Sequence, residues 1–318
     1  MTMNILYLVI PCYNEEEVLP ETAKRLKIVM DNLIEKQKVS IDSRVIFIDD
    51  GSKDKTWEII SNYNNQDELF GGIKLSRNKG HQSALLAGLM YAKDCSDMAI
   101  SLDADLQDDV DAIEKMVDFY LDGCDVVYGV RSSRTTDTVF KRTTANGFYK
   151  FMKLLGVDIV DNHADYRLMS KRAIQALSEF KEVNLFLRGV VPLIGFKSAI
   201  VTYERNERFA GESKYPLKKM LAFAFDGITS FSVKPIRFIT FLGFIIFACS
   251  IIAQIYFLFL KLTGSTVQGW STLIGSIWMM GGIQLLSIGI IGEYIGKIYK
   301  EVKARPMYIV DKIINKEK

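Results

Sequence analysis

The sequence predicts an α/β domain with a mainly parallel sheet, followed by interfacial helices and a C-terminal hairpin of two transmembrane helices. Three observations support this prediction. Up to residue 131, short apolar runs alternate with segments of helical periodicity. The apolar runs are continuous, as in parallel strands that are covered on both faces. Two long segments near the C-terminus, 238–260 and 270–292, contain no charged residue.

Five apolar runs are interpreted as strands, and the segments between them as amphipathic helices. The runs are ILYLVIP (5–11), SRVIFIDDG (43–51), GGIKLSR (71–77), DMAISLDAD (97–105) and CDVVYGVR (124–131). The intervening segments have the 3.6-residue apolar period of helices at 16–34, 56–64, 81–94 and 111–123. In a sheet of this kind, ligands bind outside the carboxyl ends of the strands.

Composition sets broad limits on the function. The 318 residues suffice for one large domain and an appendage. The 40 basic and 38 acidic residues nearly balance, so the totals do not indicate a nucleic-acid-binding protein. The four cysteines have no metal-binding spacing and are interpreted as free thiols in a reducing cytosol. The N-terminus has no basic region or cleavage site, so we expect no signal peptide.

Each uncharged segment is long enough to cross the ~30 Å hydrocarbon core of a bilayer as a helix. The connector 261–269 is short, which predicts a hairpin. Basic residues flank the hairpin, so the positive-inside rule predicts that the N-terminal domain and both termini are cytoplasmic. These residues are Lys234 and Arg237 on one side and Lys297, Lys300, Lys303 and Arg305 on the other.

The predicted domains are a cytosolic domain (1–214), a juxtamembrane segment (215–237), the transmembrane hairpin (238–292) and a basic cytosolic tail (293–318). The juxtamembrane segment mixes Phe, Leu and Met with Lys at helical intervals. This pattern suits a helix that lies in the headgroup layer. An amphipathic helix packed on the domain is the alternative.

Polar residues follow the end of each predicted strand, and we expect them to meet at one edge of the sheet. They are Pro11, Tyr13, Asn14 and Glu15, then Asp49 and Asp50, then Ser76, Arg77 and Asn78, then Asp103 and Asp105, and finally Arg131. Asp103 and Asp105 lie two residues apart, so both can approach one divalent cation. Mg²⁺ or Mn²⁺ suits carboxylates combined with substrate phosphates. A solvated acidic turn is the alternative.

Other candidates retain two interpretations each. Asp50 can accept a hydrogen bond from a base or a ribose hydroxyl, or it can belong to a solvated turn. His81 is interpreted as a capping or packing residue, with a catalytic base as the alternative. Asp165 is interpreted as part of a polar patch before a helix, where it is either a general base or a salt-bridged cap. Arg208 and Lys214 lie in a basic loop that suits a phosphate-gripping lid or attraction to anionic lipid.

Nine motifs occur in order along nearly the whole chain. They are VIPCYNEEE, DDGSKDKT, SRNKGHQSALLAG, DADLQD, GVR, ADYRLM, GESKYP, DGITSFSVKPIR and IGEYIGKIYKEVKARPMYIV. Together they resemble the polyprenyl-phosphate glycosyltransferases, the membrane-anchored branch of the family-2 inverting glycosyltransferases that includes bactoprenol glucosyltransferases and dolichyl-phosphate mannose synthase. The resemblance implies a GT-A fold, a nucleotide-sugar donor, a divalent metal ion and a lipid-phosphate acceptor at the bacterial cytoplasmic membrane.

The roles of individual residues follow from this resemblance. It implies nucleotide-sugar contacts from Pro11, Tyr13, Glu15, Asp50, Asp103, Ala104, Asp105, Gln107, Arg208 and Lys214. Asp103 and Asp105 would flank the diphosphate and bind the metal, centred on Asp105. Arg131 and Arg142 would bind the lipid phosphate. The catalytic set is Asp103, Asp105, Asp165 and Arg131.

The resemblance also implies a mechanism. The acceptor phosphate attacks the anomeric carbon in line and with inversion, while metal and arginines neutralise the donor diphosphate. Because that phosphate is already anionic, Asp165 is expected to position or tune the reaction more than to act as a base. Bacterial members usually continue DADLQD with Pro-Pro-Glu, whereas this chain has Asp109-Val110-Asp111. The missing prolines predict a looser entry into the next helix.

UDP-glucose is the expected donor, with UDP-N-acetylglucosamine second, and undecaprenyl phosphate is the expected acceptor. The β-linked product would serve cell-envelope glycan decoration, together with a flippase and an outward-facing glycosyltransferase, and a homo-oligomer is compatible with the sequence. A polysaccharide synthase is one alternative, but it needs more spans and a QxxRW-type motif that the sequence lacks. A non-catalytic sugar-binding or flippase-partner protein is another, which the Asp103–Asp105 pair argues against.

Overall fold

The computed structural model describes residues 3–131, 163–181, 187–204 and 270–315, together with six single positions between 236 and 252. The chain divides into two compact units. One unit consists of 1–150, 158–215 and 304–318, and the other of 151–157 and 216–303. The first unit is an α/β domain, and the second contains a long apolar helix.

An eight-stranded sheet forms the centre of the first unit. Its strands are β1 (Leu6–Cys12), β2 (Arg44–Asp49), β3 (Phe70–Leu75), β4 (Met98–Ser101), β5 (Val126–Arg131), β6 (His163–Ser170), β7 (Ser198–Tyr203) and β8 (Val310–Ile314). Their order across the sheet is β7-β5-β6-β4-β1-β2-β3-β8. Strands β1 to β4 pair in parallel, as do β5 and β7, whereas β6 and β8 are antiparallel to their neighbours. The prediction of a mainly parallel α/β sheet is therefore confirmed.

Within the described residues, six helices belong to this unit. They are α1 (Leu19–Glu35), α2 (Thr56–Gln66), α3 (His81–Cys95), α4 (Ala112–Leu121), α5 (Lys171–Ser178) and α6 (Leu187–Leu193). The first four alternate with β1 to β5, as the periodicity predicts. Helix α1 buries Leu19, Ala23, Leu26, Met30 and Leu33, which recur at helical spacing.

Helix α3 packs unusually close to the sheet. A Cβ atom at Gly88 would lie 2.3 Å from Val9 Cγ1 and 2.9 Å from Ile48 Cδ1. The absence of a side chain at Gly88 therefore lets α3 approach β1 and β2. This contact fixes the start of α3, which carries His81, relative to the ends of those strands.

The segment around Asp165, HADYRLMSK (163–171), does precede a helix, but nothing in the sequence indicated that most of it is a strand. Residues His163–Ser170 form β6, which lies between β4 and β5 and is antiparallel to both. Residues 165–170 of the strand are buried despite the charges among them, because Asp165 and Arg167 form ion pairs there. Only the end of the segment starts a helix, where Ser170 Oγ caps α5 by accepting a hydrogen bond from Ala173 N.

The C-terminal region differs from a simple basic tail. Residues Val310–Ile314 form β8, which pairs antiparallel with β3 and takes the edge position of the sheet. The backbone N–H of Ser76 also donates to Ile309 O (2.9 Å), so the pairing reaches the loop after β3. Strand β8 is not predicted from the sequence, because a run of five residues with two charges gives a weak strand signal.

The second unit contains helix α7 (Trp270–Lys303), which has 34 residues and includes all of the predicted segment 270–292. Within it, Met279–Lys303 is long and apolar enough to cross a membrane by length and composition. The other predicted span, 238–260, lies largely outside the described residues, although single positions in it are helical. The juxtamembrane segment 215–237 also lies outside them, apart from Ile236.

Candidate active site

Polar side chains from seven strands meet at one edge of the sheet. Because β1 to β5 and β7 all run in the same direction, their carboxyl ends lie at this edge. Strand β6 runs the opposite way, so its amino end, with Asp165, reaches the same place. The antiparallel strand thus places Asp165 among groups that follow β3 and β4, far away in the sequence.

Asp50 holds two of the loops at this edge together. Its carboxylate is buried and accepts hydrogen bonds from the backbone N–H groups of Lys79 (2.7 Å) and Gly80 (2.8 Å). Burial raises the pKa of Asp50, and these hydrogen bonds oppose the increase. Asp50 therefore fixes the loop after β3, and each oxygen keeps a second lone pair for the predicted nucleoside contact.

The loop after β1 is tied to the loop after β2 by reciprocal hydrogen bonds. Asn14 N donates to Ser52 Oγ (3.0 Å), and Lys53 N donates to Asn14 Oδ1 (2.9 Å). Glu15 N donates to Thr56 Oγ1 (2.9 Å). Of the predicted nucleoside contacts in this region, Pro11 is buried in β1, whereas Tyr13 is 42% exposed and free to stack on a ligand.

His81 links Asp103 to Asp165. Its Nε2 lies 3.4 Å from Asp103 Oδ1 and 3.6 Å from Asp165 Oδ2. Burial lowers the pKa of His81, but Asp165 and Asp103 outweigh this effect, so its pKa is raised. His81 is therefore part of the site, whereas the sequence interpretation favoured a capping or packing role. It begins α3, and no side chain caps that helix.

Asp165 is surrounded by cationic and amide donors. Arg188 donates to both of its oxygens, Arg167 Nη2 lies 3.3 Å from Oδ1, and Gln82 Nε2 donates to Oδ2 (3.2 Å). Burial raises the pKa of Asp165, but His81, Arg188 and Arg167 outweigh it and hold the pKa far below its usual range. A carboxylate stabilised in this way is a poor proton acceptor, so the geometry favours positioning over general base catalysis.

The DAD segment lies immediately beyond β4. Asp103 Oδ1 is buried and has no hydrogen-bond partner among the described residues, and burial raises the pKa of Asp103 to about 6. Asp105 is almost fully buried and accepts a hydrogen bond from Gln107 N (3.2 Å). Between them, Ala104 is buried and its carbonyl accepts from Thr22 Oγ1 (2.7 Å). The backbone of the pair is therefore fixed.

These residues fit a divalent cation that is shared with a substrate. No group of three or more His, Cys, Asp and Glu side chains with metal-site geometry occurs in the described part of the chain. However, Mg²⁺ and Mn²⁺ sites on nucleotides often use only one or two carboxylates and take the remaining ligands from phosphates and water. Asp103 Oδ1 is suited to such a site, because it accepts no hydrogen bond among the described residues and has His81 Nε2 only at 3.4 Å. Asp105 lies two residues away.

A second buried carboxylate, Asp108, lies on the same loop and was not among the predicted site residues. Tyr203 OH donates to Asp108 Oδ1, and Arg131 Nη2 lies 3.5 Å from the same oxygen. Burial raises the pKa of Asp108, while Tyr203 and Arg131 oppose the increase. Arg131, predicted to face phosphates, is therefore in contact with this loop. The acidic run 103–109 could have indicated Asp108 as a site residue. No feature of the sequence indicates Tyr203.

The entry into α4 is held without prolines. Asp111 N donates to Asp109 Oδ1 (3.0 Å), which closes an Asx turn. Tyr166 OH donates to Asp109 O (2.9 Å) from β6. These two hydrogen bonds hold the turn at Asp109-Val110-Asp111, and the looser entry stays a prediction. The other predicted site residues, Arg142, Arg208 and Lys214, lie outside the described residues.

Comparison with known proteins identifies the class. Residues 7–178 match the model for "Glycosyl transferase family 2", and residues 234–298 match "GtrB C-terminal hairpin". The chain belongs to glycosyl transferase family 2 and is a glycosyltransferase with the corresponding GT-A fold, as the resemblance implied.

Several relatives align over almost the entire chain. YkoT of Bacillus subtilis (strain 168), called an uncharacterized glycosyltransferase, is 57% identical over 96% of this chain and 91% of its own length. A "prophage bactoprenol glucosyl transferase homolog" of Escherichia coli (strain K12) is 38% identical over 96% of this chain and 98% of its own. The "bactoprenol glucosyl transferase" of Shigella phage SfII is 39% identical over 96% and 97%, respectively.

Proposed function

We propose that the enzyme transfers a hexose from a UDP-sugar to a polyprenyl phosphate with inversion, giving a β-linked lipid-phosphate sugar. UDP-glucose is the favoured donor, ahead of UDP-N-acetylglucosamine, and undecaprenyl phosphate is the favoured acceptor. The observation that carries this proposal is the full-length similarity to bactoprenol glucosyl transferases at 38–39% identity. The carboxylate pair Asp103 and Asp105 at the site edge agrees with it.

The chain's own residues have distinct roles in this proposal. Asp103 and Asp105 would hold Mg²⁺ or Mn²⁺, which supplies positive charge to the donor diphosphate when bound. Tyr13, Asp50 and Glu15 bind the nucleoside, and Gln107 contacts the sugar. Arg208 and Lys214 grip the diphosphate.

The acceptor needs little help in losing a proton. Its phosphate oxygen is anionic near neutral pH, so the harder task is to bring it close to a second anion. Arg131 and Arg142 would bind the acceptor phosphate and lower this repulsion. Asp165, held by Arg188 and Arg167, keeps His81 and Asp103 in place while the phosphate attacks in line.

The membrane arrangement is also a proposal. Two helices, 238–260 and 270–292, would cross the bacterial cytoplasmic membrane, with domain 1–214, segment 215–237 and tail 293–318 on the cytoplasmic side. The match to the hairpin model and the apolar helix Met279–Lys303 support it. A soluble donor would then meet a lipid headgroup at the membrane surface. The product would pass to a flippase and an outward-facing glycosyltransferase for envelope glycan decoration.

A donor panel tests the proposal directly. Detergent-solubilised full-length protein is incubated with undecaprenyl phosphate and each radiolabelled nucleotide sugar, with Mg²⁺, Mn²⁺ or EDTA. We expect label from UDP-glucose in a solvent-extractable lipid, and we expect EDTA to abolish the transfer. NMR of the sugar phosphate reports the anomeric configuration, which should be β.

Each alternative gives a different result. Label in a long water-soluble polymer would indicate a polysaccharide synthase. Binding of nucleotide sugars without transfer to any lipid phosphate would indicate a non-catalytic protein. An α-linked product would contradict inversion while leaving the acceptor class intact.

A further inference from the structure

We propose that Asp108 and Tyr203 are positioning residues, which hold the guanidinium of Arg131 so that its remaining donors receive a substrate phosphate oxygen. This inference rests on the proposed function and adds two residues to it. The phosphate belongs either to the lipid acceptor or to the nucleotide donor, and the experiment below separates the two.

Three separate segments meet at Asp108. Arg131 ends β5, Tyr203 ends β7, and Asp108 lies three residues beyond Asp105 on the loop after β4. Since β5 and β7 pair in parallel with Arg131 opposite Tyr203, their last side chains lie side by side. A single carboxylate oxygen, Asp108 Oδ1, contacts both of them. The position of Arg131 is therefore coupled to the loop that carries the predicted metal ligands.

This contact pairs only some of the hydrogen-bond donors of Arg131. Its Nη2 faces Asp108 at 3.5 Å, but its Nε is buried and has no hydrogen-bond partner among the described residues. A buried guanidinium N–H without an acceptor is unfavourable in a finished protein interior. An anionic oxygen of a ligand would pair with it, and the planar donor geometry of Arg matches phosphate as well as carboxylate. Phosphate is the anion that both proposed substrates carry.

The surroundings of Asp108 are rigid. Its side chain is only 3% exposed, and the ring of Tyr203 packs edge-on against Tyr166, with centroids 5.2 Å apart. Tyr166 in turn donates to Asp109 O, the residue next to Asp108. Tyr166 therefore restrains both the ring of Tyr203 and the backbone of the Asp108 loop. A small change at either residue should therefore reach Arg131 rather than be absorbed locally.

Two conservative variants test the inference. Asp108→Asn keeps the shape and an acceptor oxygen but removes the charge, and Tyr203→Phe removes only the hydroxyl. We expect each to raise the KM for one phosphate substrate at least tenfold, with a smaller change in kcat and the other KM unchanged. A raised KM for undecaprenyl phosphate assigns Arg131 to the acceptor, and a raised KM for UDP-glucose assigns it to the donor.

Asp125→Asn is the matched control. Asp125 immediately precedes β5, at the opposite end from Arg131, and it is also a buried carboxylate that pairs with an arginine, Arg172, and a hydroxyl, that of Ser170. If Asp108→Asn and Asp125→Asn lower the melting temperature alike but only Asp108→Asn changes a KM, the effect is not general destabilisation. Equal kinetic effects in the two variants would overturn the inference.

The decisive comparison uses double variants, in which Asp108→Asn or Tyr203→Phe is combined with Arg131→Ala. If Asp108 and Tyr203 act through Arg131, Asp108→Asn and Tyr203→Phe should cause no further loss once Arg131 is gone. Additive losses would overturn the inference. Suppose that the wild type transfers the sugar and Arg131→Ala is impaired, but Asp108→Asn and Tyr203→Phe have wild-type kinetics. This result would overturn the inference and leave the proposed function standing. Absence of wild-type transfer with every donor would overturn both.

Discussion

The guanidinium of Arg188 holds the carboxylate of Asp165 at both oxygens. Arg188 Nε lies 3.3 Å from Oδ1 and Nη2 lies 3.1 Å from Oδ2. The pair joins α6 to β6 at the edge where the substrate is proposed to bind. Its geometry is that of a fork on a carboxylate, which fixes direction as well as distance.

Asp165→Asn should therefore lower both the stability of the folded protein and the rate of transfer. Arg167 is almost fully buried and would lose its charged partner, and breaking a buried ion pair on one side typically costs about 3–5 kcal/mol. We expect a lower midpoint in urea unfolding and at least a tenfold loss of kcat. Asp94→Asn on α3 is the control, because Asp94 is exposed and, among the described residues, has an ion-pair contact with its neighbour Lys93 alone, at 3.9 Å. Near-normal turnover of folded Asp165→Asn would contradict the positioning role.

His81 should make the stability of the metal-free protein depend on pH. Its pKa in the folded protein is raised above the ordinary value of 6.5, with Asp165 and Asp103 overcoming the opposite effect of burial. The stabilisation is therefore fully present below pH 6.5 and is lost as the pH rises through the raised pKa. The free energy of unfolding in EDTA, measured for wild type and His81→Gln, should differ most at low pH and converge once the pH exceeds the raised pKa of His81. A difference that does not change with pH would rule out this account.

Gly51→Ala should be more damaging than Gly80→Ala. Both glycines have positive φ, +67° and +87°, so each substitution carries a backbone strain of about 1–3 kcal/mol. Only at Gly51 would the new Cβ also meet backbone, 2.7 Å from Arg77 C and from Asn78 N. The melting temperatures of the two variants measure this difference, because both carry backbone strain and only Gly51→Ala adds a steric clash. Equal losses would show that the two loops do not pack as closely as described.

The carboxylate pair should control the metal requirement. Asp103→Asn and Asp105→Asn each remove one anionic oxygen ligand, so the concentration of Mn²⁺ for half-maximal activity should rise at least tenfold. Asp109→Asn is a useful control because Asp109 lies on the same loop, while its hydrogen bond to Asp111 N needs only an oxygen acceptor. A metal titration of initial rates measures the change. Unaltered metal dependence in both variants would remove the pair from the proposed site.

The sequence predicted the parts of the fold whose signals are local. Strands β1 to β5 are continuous apolar runs, and α1 to α4 have a clear period, so both were recognisable. Strand β6 was missed because its charges suggest a surface, and only the tertiary structure supplies the partners that allow Asp165 and Arg167 to be buried. Arg188, 23 residues beyond Asp165, could not be associated with it from spacing alone.

The site residues that could be predicted from the sequence are those at the ends of recognisable strands. Asp50, Asp103 and Asp105 follow predicted strands and do lie at the common edge. The role of Asp50 in holding Lys79 and Gly80 could not be predicted, because it depends on how two loops meet. Asp108 and Tyr203 were missed for the same reason, since they are 95 residues apart and come together only through the pairing of β5 with β7.

Strand β8 has a practical consequence for anyone who handles this enzyme. Without its last strand, β3 would present an open row of backbone groups, which is a common starting point for sheet-to-sheet aggregation. Clipping by proteases near the C-terminus, or an affinity tag fused directly after Ile314, would therefore threaten solubility rather than only trim a tail. Purification handles are better placed at the N-terminus, and recombinant preparations are best checked by mass spectrometry for an intact C-terminus.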